Sequence, residues 1–230
     1  MDITNSLIIP CKEEGKEFLP ILNSFIKNIK PETEIIVVFD NIEDPTCQIL
    51  KDSELKVRII INDIGPGPTN AVKAGIKASL GNNICIAMGD GSDDPTQVED
   101  LLFLLERGCT VAVASRYSRG GQFIGEKNLK YLLSKYSGKV LNSFFFIGTK
   151  DPTNMFKAYS KSFINEVTIE SDNGFTLGLE MIIKAKLHKK KIGEIPTIWI
   201  DREFGESKFN MRKYLPSYIF WIYRLILRRK

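Results

Sequence analysis

The sequence predicts an α/β fold: a Rossmann-like, doubly wound, mostly parallel sheet flanked by helices. Three observations carry that prediction. Short runs rich in Val and Ile recur through the first half: "SLIIP" (6–10), "EIIVVF" (34–39), "VRIII" (57–61), "NICIAM" (83–88) and "TVAVAS" (110–115). They are apolar throughout, as strands covered on both faces are. Helical patterns at 16–29, 46–53, 68–80 and 95–107 lie between them, and such a β-α-β-α rhythm calls for a parallel sheet. Asp44-Pro45 and Asp94-Pro95 each place a capping acid before a proline at the first helical position.

Ligands of such sheets bind beyond the carboxyl ends of the strands, so each end is taken in order. Strand one stops at Pro10, and Glu13 and Glu14 open the next helix, where its dipole favours acids. Strand two ends at Asp40, which has no capping role to explain it; Asp44 does. Strand three runs into "NDIGPGPTNAVKAG", which holds neither GxxxxGK[ST] nor GxGxxG. It reads as a Gly-Pro turn in which Gly67 allows close backbone approach to a ligand. Strand four enters "MGDGSDDPTQ". There Asp94, Pro95 and Gln97 form a near capping box. Asp90 and Asp93 remain, and their best physical use is a hard divalent cation.

The second half is less regular. It predicts a helix over 127–147, a strand near 155–160, a helix near 173–187, a strand near 194–200 and a final helix from about 212. Residues 1–210 read as one domain and 211–230 as a basic, aromatic tail.

Composition narrows the function. Of 230 residues, 43% are hydrophobic and 26% charged, enough for one substantial core. Cys11, Cys47, Cys85 and Cys109 show no CxxC spacing, and a reducing cytosol is expected. No signal peptide is visible. A single histidine, His188, argues against a histidine metal site or triad. The net charge is +4, but residues 211–230 hold six basic residues and no acid. The body is therefore slightly acidic, which argues against nucleic-acid binding. The tail run "KYLPSYIFWIYRLILRRK" is too short to span a bilayer, which takes roughly 20 apolar residues. Its Tyr, Trp and basic residues suit an in-plane amphipathic helix; a helix packed on the sheet or on a second subunit is the alternative, so a homo-oligomer stays open.

Taken in order, "SLIIPCKEE", "EIIVVFDNIEDPT", "MGDGSDDP", "ASRYSRGG", "DPTNMFKAYSK", "GFTLGLE" and "GEIPTIWIDREFGESKF" resemble the family 2 glycosyltransferases of the GT-A fold. The branch most resembled is that of dolichol-phosphate mannose synthase and related polyprenyl-phosphate sugar transferases. The likeness covers about residues 5–209. It implies a nucleoside pocket lined by Pro10, Glu13 and Asp40, and Mg²⁺ or Mn²⁺ on the donor diphosphate held by Asp90. It places Arg116, Arg119, Arg202, Ser207 and Lys208 near donor or acceptor phosphates. Asp151 and Thr153 would shape the acceptor side, and Glu180 would stand beside the sugar pocket. The sequence departs from the pattern twice. Phe39-Asp40 stands for paired aspartates, and Met88-Gly89-Asp90 lacks the first acid of the DxD motif, leaving Asp93 as helper to Asp90.

The implied reaction is inverting transfer of a sugar from a UDP- or GDP-sugar to a polyprenyl phosphate or other lipid-linked acceptor, by a protein peripheral to the inner face of a membrane. A lipid phosphate needs no general base; a hydroxyl acceptor does, and Asp93, Glu180 and Asp151 are then the candidates. A saccharide hydroxyl acceptor and a non-catalytic nucleotide-binding scaffold are the other readings.

Overall fold

The computed structural model describes residues 3–172, 176–201 and 211–227. The five apolar runs form β1 (Asn5–Cys11), β2 (Thr33–Phe39), β3 (Arg58–Ile61), β4 (Asn83–Ile86) and β5 (Val111–Ser115). Between them lie α1 (Phe18–Asn28), α2 (Pro45–Lys51), α3 (Pro68–Ala78) and α4 (Val98–Glu106). After β5 come β6 (Gln122–Ile124), α5 (Leu129–Phe145), β7 (Lys157–Ser160), α6 (Lys161–Glu166) and α7 (Leu177–Leu187). The chain ends with β8 (Ile192–Pro196), β9 (Ile198–Ile200) and α8 (Met211–Leu227).

Seven strands form one sheet in the order β3-β2-β1-β4-β7-β5-β8, while β6 and β9 pair separately. All neighbours in the large sheet are parallel except β7, which runs antiparallel to both β4 and β5. Side chains alternate across the sheet. Ile8, Ile36 and Val38 pack with α3, α6, α7 and α8 on one side; Leu7, Ile9, Val37 and Phe39 pack with α1, α2 and α4 on the other. The continuous apolar runs follow from having both faces covered.

The differences from expectation are local. Short 3₁₀ turns at Gly15–Glu17 and Pro95–Gln97 precede α1 and α4. The strand expected over 194–200 breaks at Thr197: β8 pairs with β5 and β9 with β6. Strand β6 and helix α6 are too short for their periodicity to show. Helix α8 packs against α7. Trp221 and Leu225 are buried in the same core as α7. Lys184 lies 5.1 Å from the Trp221 ring, and Arg224 donates to both Glu170 oxygens at 2.8 and 2.6 Å.

Candidate active site

The carboxyl ends of β1, β2, β3 and β4 lie side by side, because these four strands are parallel neighbours. Beyond β1, Pro10 is buried within the strand, and the chain turns through Glu13 at φ 57°. The turn is fastened from the next strand end. Glu13 N donates to Asp44 Oδ2 at 2.9 Å, and Gly15 N donates to Thr46 Oγ1 at 2.9 Å. Asp44 also caps α2, accepting from Thr46 N at 2.8 Å, so its capping role holds and it serves two loops.

Asp40 is half-buried at the tip of β2. Asn62 Nδ2 donates to its Oδ1 at 2.8 Å, and Gly67 N donates to its Oδ2 at 2.9 Å. Gly67 has φ 111°, a conformation that favours glycine. One carboxylate therefore fixes the shape of the whole turn after β3. Asn62 did not stand out in the sequence; its partner lies 22 residues away on another strand.

At the end of β4, Asp90 is half-buried. Its Oδ1 accepts from Ser92 N at 3.2 Å and Ser92 Oγ at 2.6 Å, which sets the orientation of the carboxylate. Asp93 sits differently. It is only 4% exposed, Met88 N donates to its Oδ2 at 2.9 Å, and its Oδ1 has no hydrogen-bond partner among the described residues. Burial pushes its carboxyl up to about 7, with Asp90 adding to the rise. Asp94 caps the turn through Thr96 N at 3.0 Å. Gln97 does not close the expected capping box; it reaches Pro196 O at 2.6 Å instead. Among the described residues no three His, Cys, Asp or Glu side chains cluster as a metal site. Among the described residues, the acids that this strand end offers a divalent cation are Asp90 and Asp93. That donor set fits Mg²⁺ or Mn²⁺ that takes its other oxygens from water and a diphosphate, and the unpartnered Asp93 oxygen is the acceptor such an ion would satisfy.

Arg116 leaves β5 into a buried network. Its Nε and Nη2 donate to Asp151 at 2.7 and 2.8 Å, a bidentate pair, and its backbone N donates to Asp151 Oδ2 at 3.0 Å. Nη2 also lies 3.2 Å from Ser134 Oγ and 3.4 Å from Thr153 Oγ1. The guanidinium lies 5.0 Å from the Tyr117 ring and 5.7 Å from that of Trp199, which stacks on Phe123 at 4.8 Å. Burial works to raise the Asp151 carboxyl, but the Arg116 charge outweighs it and holds it below the usual carboxylate range. Under this pair lies Lys157, fully buried, donating to Pro152 O at 3.2 Å and pushed down to about 7 by burial. The signal for Lys157 was one charge inside the apolar run "NMFKAYS".

Glu180 is also fully buried. Glu170 N and Ser171 N donate to it at 2.7 and 2.8 Å, and Lys184 pairs with it at 2.7 Å. It holds the 170–171 segment to α7. Arg119 is exposed at the tip of the turn after β5. Arg202, Ser207 and Lys208 lie outside the described residues.

Residues 6–168 match the family described as Glycosyl transferase family 2. The chain is 30% identical over 229 residues to the dolichol-phosphate mannosyltransferase of Pyrococcus furiosus, covering 96% of this chain and 63% of that relative. It therefore spans less than two thirds of that protein's length. It is 25% identical over 213 residues to the polyprenol monophosphomannose synthase of Mycolicibacterium smegmatis, covering 89% of this chain and 80% of the relative. In structure it is similar to glucosyl-3-phosphoglycerate synthase from Mycobacterium tuberculosis, crystallised with Mn²⁺, UDP and glucosyl-3-phosphoglycerate. The TM-score is 0.71 at 14% identity, covering 98% of this chain and 79% of that one, a likeness of fold. With the parallel strand ends and the sequence match agreeing, the chain belongs to glycosyl transferase family 2.

Proposed function

We propose that this chain transfers a sugar, with inversion, from a UDP- or GDP-sugar to a polyprenyl phosphate at a membrane surface. The two relatives with polyprenol- and dolichol-phosphate names support the acceptor class. The observation that carries the reading is the state of the three candidate bases. Asp151 and Glu180 are both 0% exposed, tied to backbone N–H groups and paired to a cation, while Asp93, 4% exposed, is the proposed helper of the divalent cation. A hydroxyl acceptor needs a carboxylate free to take its proton, and Asp151 and Glu180 are not so placed. A phosphate acceptor is already anionic and needs none.

The proposed roles rest on the family resemblance and on the positions at the strand ends. Pro10, Glu13, Asp40 and Gly67 would receive the nucleoside at the ends of β1 to β3. Asp90, with Asp93, would hold Mg²⁺ or Mn²⁺, which supplies positive charge to the leaving diphosphate. Arg116 is pre-oriented by Asp151 and Thr153, so a phosphate meeting it finds a fixed donor rather than a mobile one. Arg119, Arg202, Ser207 and Lys208 are proposed to complete the phosphate contacts. Helix α8 buries Trp221 and Leu225 but turns Leu215, Ile219, Tyr223 and Ile226 outward, and this face is the proposed membrane contact of the tail. No helix among the described residues is long and apolar enough to cross a membrane.

The test is transfer of labelled sugar, from a panel of UDP- and GDP-sugars, to polyprenyl phosphate and to the matching polyprenol. Label entering the organic phase only with the phosphate supports the reading. Equal transfer to the alcohol contradicts it.

A further inference from the structure

The turn after β3 is built around one side chain that the proposed roles leave unused. The parallel register of β2 and β3 pairs Phe39 with Ile61, and Asn62 N carries it one step further by donating to Phe39 O at 2.8 Å. Asn62 therefore stands beside Asp40. Its amide is used completely. Nδ2 donates to Asp40 Oδ1 at 2.8 Å and to Gly65 O at 2.5 Å, and Oδ1 accepts from Ile64 N at 3.1 Å. A carboxylate and a carbonyl only accept and a backbone N–H only donates, so the amide has one allowed orientation.

Asp40 is held from two sides. Asn62 donates to Oδ1, and Gly67 N donates to Oδ2 at 2.9 Å. Each carboxylate oxygen has room for about two hydrogen bonds, so each keeps one acceptor site beyond these bonds. Asp40 is half-buried, and a Cβ at Gly67 would meet nothing within 4 Å among the described residues. The turn that clasps Asp40 thus borders open space. Ile42 and Ile64, on the two turns beside it, are exposed apolar side chains of a kind suited to the flat faces of a base. Asn62 supplies what a free aspartate lacks, a set direction, with the ordering done before a ligand arrives.

We propose that Asn62 is a positioning residue for nucleobase recognition: it aims the Asp40 carboxylate at a ring N–H, and so selects bases that carry one. Guanine and uracil carry that N–H. Adenine and cytosine have an acceptor nitrogen at the same ring position, which a carboxylate repels. The proposal rests on the reading of the β1 to β3 ends as the nucleotide site, and it names the residue that makes Asp40 selective there.

The experiment is calorimetric binding of GDP, ADP, UDP, CDP and the base-free ribose 5-diphosphate to the full chain with Mn²⁺. It compares the native protein with Asn62→Ala and Asn62→Asp, and circular dichroism reports that the fold is kept. Asn62→Asp, the closest in shape, serves if Asn62→Ala does not fold. It keeps the acceptor for Ile64 N, loses both N–H donors and sets a second carboxylate against Asp40. The native chain is expected to prefer GDP over ADP, or UDP over CDP, by at least about tenfold. A folded variant should lose about tenfold or more for the preferred nucleotide and bind ribose 5-diphosphate as the native chain does. Native selectivity in a folded variant overturns the proposal. So does an equal loss for ribose 5-diphosphate, which would make Asn62 a structural residue only, and so does a native chain that binds the nucleotides without preference. A native chain that binds none of the four nucleotides counts against the nucleotide site itself, and the proposal falls with it.

Discussion

Gly89 stands where the motif it resembles has a carboxylate. A Cβ there would meet Phe18 Cε2 at 3.1 Å, Ile9 Cγ2 at 3.4 Å and Pro10 O at 3.4 Å. That contact to Phe18 is tighter than ordinary packing, so a side chain at 89 requires the Phe18 ring of α1 to yield. Gly89→Asp is accordingly expected to lower stability by about 1–3 kcal/mol through overpacking and to bring no gain in transfer rate. Urea unfolding and initial rates check both; a stable, faster variant would contradict the packing argument. At this scale the sequence was informative where a residue acts on its neighbours. Asp44 and Asp94 read as caps because their partners are two residues away. It was uninformative where the partner is distant. Arg116 and Asp151, 35 residues apart, read as two separate phosphate and acceptor groups, and the structure shows one ion pair. Glu180 read as an acid beside the sugar pocket, and in the structure Lys184 and two backbone N–H groups hold it.

Elements were legible to the extent that their apolar pattern was long. Strands β1 to β5 and helices α1 to α5 follow their predicted spans within a few residues. Strand β7 was found but not its direction, since an apolar run reads the same either way and only the sheet sets its sense. The tail shows the same limit. Its apolar residues divide between two faces, and the sequence alone did not say that Trp221 and Leu225 would be buried. Their docking has an order of importance. Trp221→Ala is expected to cost about 3–5 kcal/mol, or to release α8 to proteolysis at a lower cost. Arg224→Ala breaks a partly exposed pair with Glu170 and is expected to cost about 0.5–1 kcal/mol. Limited proteolysis and urea unfolding of the two variants give the ranking, and the reverse order would count against the packing described for α8.

For the whole molecule, buried charges set how stability depends on pH. Asp151 and Glu34 ionise below their ordinary range in the folded protein. Such groups contribute stability that is complete above the unfolded value, about 4, and is lost as pH falls through the lower folded value. The urea midpoint should therefore drop steeply below about pH 4. In Asp151→Asn the unfolding free energy should start lower, by about 3–5 kcal/mol for a buried arginine left unpaired, and the acid slope should be shallower. An unchanged slope would show that Asp151 does not carry this part of the acid sensitivity. The central claim is that the parallel strand ends β1 to β4 of one mixed sheet assemble a cation-assisted sugar transferase around Asp90. Mn²⁺-dependent transfer of labelled sugar to polyprenyl phosphate, compared between the native chain and Asp90→Asn, tests it most directly. The account predicts a loss of about 10²–10³-fold with nucleotide binding retained. Transfer at the native rate by Asp90→Asn would contradict it.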